Sequence, residues 1–295
     1  MNQVKTSLLL LMGMLMLLTA CGNGADEASD DETQRAPVTV SVDDFSMSVE
    51  SFAPRRVSQS AASYSGVKAI TLAFYDNNNT EVYKSTQLRA DNTGYITFGE
   101  FSCSLPIGSY TMVVLGYGSE RAMTLTGKND ATFTNDRVRE TFVYSQAVNI
   151  INTSVVNLSA TLSRVVAQLA VYSTDHRPAS ATQVRMSFSA GGAGVNPVTG
   201  LATTSSGFSN TVPISTKVGA TTGSGSFLFL NSDEQTMTVT VDVLNEAGNV
   251  LFTRVISDVP LRRNRVTNLR GSLFSSASSS FTLESSWLDE VNISF

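Results

Sequence analysis

Side chains that could act as acid, base or nucleophile are few in this sequence. Its one histidine, His176, lies in a turn-like segment, STDHRP, and a catalytic triad built on it would need an activated serine and an orienting carboxylate. No Gly-x-Ser-x-Gly motif marks such a serine, and one histidine with one spare cysteine is too small a set for a metal site. The carboxylates of Asp43-Asp44 and Asp289-Glu290 are adjacent in sequence, so a strand would point them to opposite sides. We therefore predict no catalytic residues, no metal, no cofactor and no enzyme activity.

Basic side chains are clustered in one segment, VPLRRNRVTNLRG. The cluster consists of Arg262, Arg263, Arg265 and Arg270. Strand alternation would send some of them to opposite faces, and no aromatic residues are interleaved with them. The formal net charge of the chain is −5, which opposes attraction to nucleic acid. We predict a solvated edge strand, where charge discourages uncontrolled pairing, and no nucleic-acid partner.

One of the two cysteines, Cys21, follows an apolar run near the start of the chain. The run, residues 8–18, has eleven residues, whereas a helix needs roughly 20 to cross a bilayer. With Lys5 before it and small residues after it, the run has the layout of a secretory signal peptide. Residues 18–22, LTACG, also resemble the bacterial lipobox. That resemblance implies cleavage between Ala20 and Cys21 and a thioether from Cys21 to diacylglycerol, which would hold the chain on a membrane. The alternative is an ordinary signal peptide that ends near a cysteine.

An acidic segment, residues 22–33, follows the cysteine. Its carboxylates are Asp26, Glu27, Asp30, Asp31 and Glu32. Such a segment stays solvated and behaves as a tether. It resembles the acidic tract of surface-exported Bacteroidetes lipoproteins, which implies an outward-facing position on the outer membrane; the alternative is a spacer without sorting information. We assign residues 1–20 to a lipoprotein signal peptide and residues 21–37 to an acidic tether.

The remainder of the chain is long enough for two domains of about 100 to 150 residues each. Charged residues make up 15% of the sequence, compared with about 25% in an average soluble domain, as suits an exported globular protein. A polar stretch ending near residue 150 gives way to the apolar VVNLSATLSRVVAQLAVYSTD. We therefore place an N-terminal domain at residues 38–150 and a C-terminal domain at residues 151–295.

Short alternating segments separated by turn residues predict an all-β chain of antiparallel sandwiches. Ile70, Leu72 and Phe74 share one face of a strand, and the NNN that follows Asp76 supplies the turn of a hairpin. A second hairpin is predicted by the alternation of residues 237–243 and the loop EAGN after it. Residues 163–172 fit either a short helix or a bent strand. Residues 191–225, rich in Gly, Ser and Thr, are expected to form a mobile loop with one or two weak strands.

Four stretches resemble, in the same order, segments of the fimbrillin-like proteins of Bacteroidetes. They are LPIGSYTMVVLGYG, LSATLSRVVAQLAVYSTD, VPLRRNRVTNLRGSLF and FTLESSWLDEVNISF, the last containing Trp287. This family comprises subunits and anchors of the type V pilus and related surface lipoproteins. The resemblance implies two tandem transthyretin-like antiparallel β-sandwich domains after the signal peptide. It also implies a structural or adhesive role in a fimbrium on the outer membrane.

The same resemblance implies other pilus subunits as partners, joined by β-strand donation. Pilins of this type are cut after an arginine near the start of the first domain, and the candidates here are Arg35, Arg55 and Arg56. Arg55 and Arg56 lie in FAPRRVSQSAAS, where Pro54 and the small polar residues predict an exposed loop that a protease could reach. The alternative is two solvated arginines without processing. An uncut chain would keep its lipid and act as an anchor or accessory subunit.

A second functional hypothesis is a free-standing surface lipoprotein that binds a glycan or a host protein through its loops. Aromatic side chains on an exposed loop face would favour it, and Phe208 lies in a predicted loop. An apolar groove covered by a removable strand at residues 38–42, VTVSV, would favour the pilus hypothesis. Because lipid would occupy Cys21, Cys103 has no disulfide partner and is expected to be a small buried hydrophobe.

Overall fold

Every regular element follows the period-two apolar pattern of a β-strand. A computed structural model describes residues 34–50, 54–91, 93–134, 136–275 and 281–284, and within these ranges it contains strands but no helix. The all-β prediction is therefore confirmed. The proposed signal peptide with Ala20, Cys21 and the acidic segment lies outside the described residues, as do Trp287 and the Asp289-Glu290 pair.

The strands of the first part of the chain run up to Arg164. They are β1 (Arg35–Glu50), β2 (Pro54–Ser60), β3 (Ala69–Tyr75), β4 (Glu81–Leu88), β5 (Glu100–Pro106), β6 (Gly108–Tyr117), β7 (Thr124–Gly127), β8 (Asp130–Thr132), β9 (Thr141–Ile150) and β10 (Val156–Arg164). Eight of them form one sheet in the order β2-β1-β10-β9-β6-β3-β4, with β5 also paired to β1. The sheet folds over a core that draws side chains from β1, β5 and β10 on one side and from β3, β6 and β9 on the other.

The strands of the second part begin at Ala167. They are β11 (Ala167–Ser173), β12 (Gln183–Phe188), β13 (Gly194–Val195), β14 (Phe208–Pro213), β15 (Gly223–Leu228), β16 (Glu234–Leu244), β17 (Val250–Arg262), β18 (Val266–Gly271) and β19 (Thr282–Glu284). Two four-stranded sheets, β15-β11-β18-β19 and β14-β12-β16-β17, pack against each other over a second core. The chain leaves the first sheet after Arg164 and enters the second part at Ala167. The domain division between residues 150 and 151 stays a prediction.

Strands β3 and β6 are buried on both faces. Ile70, Leu72 and Phe74 of β3 belong to the first core, whereas Ala73 and Tyr75 belong to a third apolar cluster on the opposite face of the sheet. That third cluster includes side chains from the small sheet β13-β8-β7 and from the second part of the chain. The two parts are thus joined by packed apolar side chains.

Both predicted hairpins are present, as β3 with β4 and β16 with β17. Residues 163–172 are strand, with β10 and β11 separated only by Val165 and Val166. Two strand pairs are parallel, β1 with β10 and β11 with β18, although only antiparallel pairing was expected. Each parallel pair joins strands that are far apart in sequence. Alternation within one strand shows which face is buried, but it does not show which other strand lies beside it.

Three local expectations were wrong. Arg55 and Arg56 lie in strand β2, which pairs with β1, and not in a loop. Pro54 is compatible with a strand there because it is the first residue of an edge strand. Phe208 begins β14 and its ring stacks on Phe188 at 5.3 Å, so it is not an exposed loop aromatic. Residues 191–225 contain β13, β14 and the start of β15.

Two fully buried tyrosines of the third cluster differ in their hydrogen bonds. The Tyr117 hydroxyl lies 2.9 Å from the Thr71 hydroxyl and accepts the Met123 N–H at 3.1 Å. The Tyr75 hydroxyl has no hydrogen-bond partner in the described part of the chain, and burial with the nearby Glu81 charge raises the pKa of Tyr75 to about 12. The two rings therefore allow a matched comparison.

We expect Tyr117→Phe to lower the free energy of unfolding by about 1–3 kcal/mol, because it leaves the buried Met123 N–H without its partner and removes one of the two hydroxyl partners of Thr71. Tyr75→Phe should be neutral or stabilising, since it removes a buried hydroxyl that makes no hydrogen bond. Urea unfolding of both variants measures the difference. Equal losses in the two variants would contradict these hydrogen-bond assignments.

Candidate functional site

Strand β1 is paired along both of its edges. On one edge, residues 35–41 pair antiparallel with β5 and residues 44–50 pair antiparallel with β2. On the other edge, residues 38–46 run parallel to β10. We call the surfaces of β5, β2 and β10 that enclose this strand the β1 groove. The first described strand is therefore an interior strand, one place in from the edge of its sheet.

A β-bulge at Asp43 moves β1 from one antiparallel partner to the other. The register with β10 shifts between Val42 and Asp44. The Val42 N–H donates to the Gly99 carbonyl at 2.9 Å, and the Asp43 carbonyl accepts the Ala61 N–H at 3.1 Å. A bulge adds one residue to a strand. The apolar residues on both sides of it can then face the core although the alternation has shifted by one position. Inward residues are accordingly even-numbered up to Val42 and odd-numbered afterwards.

The inward face of β1 contributes a continuous apolar row to the first core. Its members, all at most 4% exposed, are Ala36, Val38, Val40, Val42, Phe45 and Met47. Each of the larger side chains is worth about 1.5–3 kcal/mol when fully buried. The row therefore supplies much of the apolar contact that holds β1 in its groove.

Phe45 packs into a tight site beneath the sheet. Its ring lies 5.0 Å from that of Phe142 and 6.0 Å from that of Tyr64. A Cβ atom on Gly116 would lie 2.7 Å from Phe45 Cε1, so glycine is required for this approach. The groove is thus shaped for a bulky side chain at this position.

A buried polar group lies near the C-terminal end of this row. Glu140 accepts hydrogen bonds from Arg164 Nη2 at 2.7 Å and from the Tyr64 hydroxyl at 2.8 Å. Arg164 Nη2 also lies 2.6 Å from Met47 Sδ. The guanidinium and carboxylate neutralise each other where solvent access is low, and they fix the end of β10 against β1.

Strand β10 depends on β1 for most of its pairing. In the described ladders it pairs with β9 only at Ser163 and Arg164, whereas Val156 through Ser163 pair with β1. Within the described residues β5 and β2 pair with β1 alone. Removal of β1 would expose the backbone edges of all three strands and an apolar floor between them.

The predicted processing arginines lie at opposite ends of β1. Arg35 begins the strand and Arg35 Nη2 donates to the Ser104 carbonyl at 2.5 Å. Arg55 lies opposite Val49, and Arg56 opposite Ser48. At about 3.3 Å per residue, Arg35 and Arg55 are roughly 45 Å apart along the strand. The structure therefore does not bring the three arginines together.

Cys103 faces the core from β5, directly opposite Val38. The side chain is half-buried and packs against the first core. Burial raises the pKa of its thiol to about 11, although the nearby Arg35 charge acts in the other direction. The thiol is therefore largely protonated at neutral pH and weakly nucleophilic.

Sequence reasoning identified β1 and the strand alternation of Val156 to Leu162 in β10, but it missed the pairing of these two strands and the bulge. The change of parity in AxVxVxVxxFxM was a readable signal for the bulge, because apolar residues otherwise alternate without interruption. Among the described residues no group of three His, Cys, Asp or Glu side chains could hold a metal ion, and His176 is exposed. No helix within the described ranges has the length and apolarity needed to span a bilayer.

More than half of the chain, residues 121–294, matches the model of the family of unknown function DUF6562. The chain belongs to this family. No curated protein matches it.

Solved structures of similar shape come from the Bacteroidetes. The fimbrial anchor protein Mfa2 from Porphyromonas gingivalis is 14% identical, with 86% of this chain and 99% of that chain covered at a TM-score of 0.48. A fimbrial assembly protein from Parabacteroides distasonis is 11% identical, with 85% of this chain and 94% of that chain covered at a TM-score of 0.40.

The bulge residue itself can be tested. Deleting Asp43 should sharply destabilise the first sheet, because every inward residue on one side of the deletion would turn outward. Asp43→Ala keeps the residue count and loses only the exposed hydrogen bond from Ser41 to the carboxylate, so we expect a change within about 0.5 kcal/mol. Thermal unfolding of both variants measures this, and equal stability of the two would contradict a register fixed by the bulge.

Proposed function

We propose that this protein is a structural or adhesive component of a fimbrium on the bacterial outer membrane, where it assembles by β-strand exchange. The observation that carries the proposal is the placement of β1. The first described strand lies between β5 and β2 on one edge and β10 on the other, and its removal would leave a long groove with unpaired edges and an apolar floor. Such a groove accepts an extended segment of another chain by β-augmentation.

The four sequence stretches that resemble fimbrillin-like proteins support the same role. In this proposal the partners are other fimbrial subunits. The protein has a structural and not a catalytic role. Cys21 carries lipid, residues 1–20 are removed, and the acidic segment 22–33 spaces the folded body from the membrane surface.

Two positions in a fimbrium are open to such a chain. Cleavage after Arg55 or Arg56 would detach β1 together with the start of β2, which pairs only with β1 in the described sheet. The trimmed chain would then be a polymerising subunit. Without cleavage the lipid and β1 would both be retained, and the chain would serve as an anchor or accessory subunit.

Mass spectrometry of the N terminus, on protein recovered from the native cell surface, distinguishes these positions. An acylated Cys21 terminus is expected for an anchor, and a terminus at Arg56 or Val57 for a polymerising subunit. An unmodified terminus near residue 21 would contradict both, because the chain would be neither anchored by lipid nor trimmed.

Strand exchange can be measured with the chain's own β1 as a surrogate donor. After digestion with an arginine-specific protease, the protein should take up a labelled synthetic peptide of residues 34–50, because that peptide matches every contact of the groove. Fluorescence anisotropy reports the uptake. A digested protein that takes up no peptide would contradict exchange at this strand.

A disulfide latch supplies the matched control. Val38→Cys faces Cys103 directly across an antiparallel pair, where the usual Cα separation suits a disulfide. Oxidation should hold β1 on β5 after digestion and abolish peptide uptake, and a reductant should restore it. Thr39→Cys lies opposite Ser102 and should behave like the unmodified chain. Equal uptake by the oxidised Val38→Cys protein would show that the peptide binds elsewhere.

A further inference from the structure

A cleft rich in arginine lies where the first sheet meets the second part of the chain. Its volume is about 560 Å³. One wall is formed by residues of β1, β9 and β10, and the other by residues 197–199, Asp233 and residues 262–265. We call it the arginine cleft. Its lining residues include four arginines, Arg164, Arg262, Arg263 and Arg265.

Arg164 is held rigidly at the first wall. Its side chain is 10% exposed and forms the ion pair with Glu140, while its guanidinium carbon lies 5.5 Å from the centre of the Phe142 ring. Glu140 is not among the residues that line the cleft. Arg164 lies opposite Phe142 in the ladder with β9, so its guanidinium is on the side of the sheet that faces the first core. The groups available to bind an anion in the cleft are therefore those of the other three arginines.

The other three arginines belong to one tight turn. Asn264 adopts a left-handed conformation with φ of 61°, and its N–H donates to the Val166 carbonyl at 2.8 Å. The Arg265 N–H donates to the Arg262 carbonyl at 3.2 Å, which closes the turn. Arg263 Nη1 donates to the Thr199 carbonyl across the cleft wall at 3.1 Å. The turn therefore gathers three arginines that a continuous strand would have separated.

Exposed carboxylates at the rim compensate two of the turn's charges. Arg262 pairs with Glu234 and Arg263 with Asp233, but the two carboxylate side chains are 67% and 71% exposed. Exposed ion pairs of this kind contribute about 0–1 kcal/mol, so a ligand anion can compete with them. Among the described lining residues Asp233 is the one carboxylate.

We infer that the arginine cleft binds an acidic carbohydrate, a sugar that carries carboxylate or sulfate groups. Arginine recognises such groups with paired hydrogen bonds. The lining also includes the hydroxyl-bearing residues Ser46, Tyr144, Ser145, Ser163 and Thr199, which suits a ligand with many hydroxyls of its own. An acidic peptide would supply the anions without those hydroxyls. The volume lies within the usual range for small-ligand sites. The inference concerns the uncut chain and does not rest on strand exchange.

Calorimetric titration of the full uncut chain tests this site. The probe is a sulfated disaccharide containing a uronic acid, and a neutral disaccharide of equal size is the reference. We expect binding of the acidic sugar at about 150 mM salt and at least about tenfold weaker binding of the neutral one. Equal affinity for both sugars, or no binding of the acidic one, would overturn the inference.

Variants locate the binding in the cleft. Arg262→Gln with Arg265→Gln should weaken binding of the acidic disaccharide by about tenfold or more. The control is Arg270→Gln, which removes one positive charge from the same segment and is matched to the single variant Arg262→Gln. Its guanidinium lies over the Tyr172 ring at 4.6 Å and does not line the cleft, so we expect less than about a twofold change. An equal loss in the control would indicate general charge attraction and overturn the site.

Two further measurements keep the test decisive. If the double variant fails to fold, Arg262→Gln alone is used, because its ion pair is exposed and its loss should leave the melting temperature unchanged. A synthetic peptide of residues 22–33 supplies carboxylates without sugar hydroxyls. Binding of this peptide at the cleft together with failure of the acidic sugar would overturn the assignment of the ligand as carbohydrate.

Discussion

Backbone pairing along both edges of β1 is the interaction on which the first sheet depends. Strands β5 and β2 have β1 as their partner on one edge, and β10 pairs with it over most of its length. A strand in this position normally lies in the interior of a chain, where both neighbours can be reached by short connections. Here it directly follows a segment composed largely of acidic and small residues. Removal of a strand enclosed on both edges leaves unpaired backbone that a strand of another chain could fill.

The apolar pattern of the sequence predicted which face of each strand is buried. Val38, Val40 and Val42 alternate as expected, and so do Ile70, Leu72 and Phe74. Alternation does not report which strand lies alongside, so the parallel pairing of Val38 with Val156 could not be read from either segment alone. Pairing partners follow from the packing of the whole core, where loop closure and tertiary contact decide the order of strands.

Turn chemistry predicted hairpins better than it predicted loops. The proline and small polar residues around Arg55 indicated a loop. An edge strand accepts both, however, because its outer edge makes no hydrogen bonds to another strand of the sheet. Glycine and serine in residues 191–225 likewise indicated a loop with one or two weak strands, where the structure has β13, β14 and the start of β15. The aromatic Phe208 there packs against Phe188 because that region supplies part of the second core.

In the basic segment, the pattern of charges likewise did not predict how the arginines are arranged in the structure. Arg262 does end an edge strand, but a turn then interrupts the alternation that would have separated its neighbours. Arg164, almost a hundred residues earlier, joins them only because β10 ends where the turn lies. The sequence showed that these arginines are clustered, but only the tertiary structure shows that they line a cleft.

Cryo-electron microscopy of assemblies formed by the chain cut after Arg55 or Arg56 tests the proposed strand exchange most directly. The map should show an extended segment between β5 and β10 that belongs to a neighbouring subunit, with apolar side chains in the positions of Val38, Val40 and Phe45. A fimbria in which each copy keeps its own β1 in that position, with subunits joined through other surfaces, would contradict assembly by strand exchange.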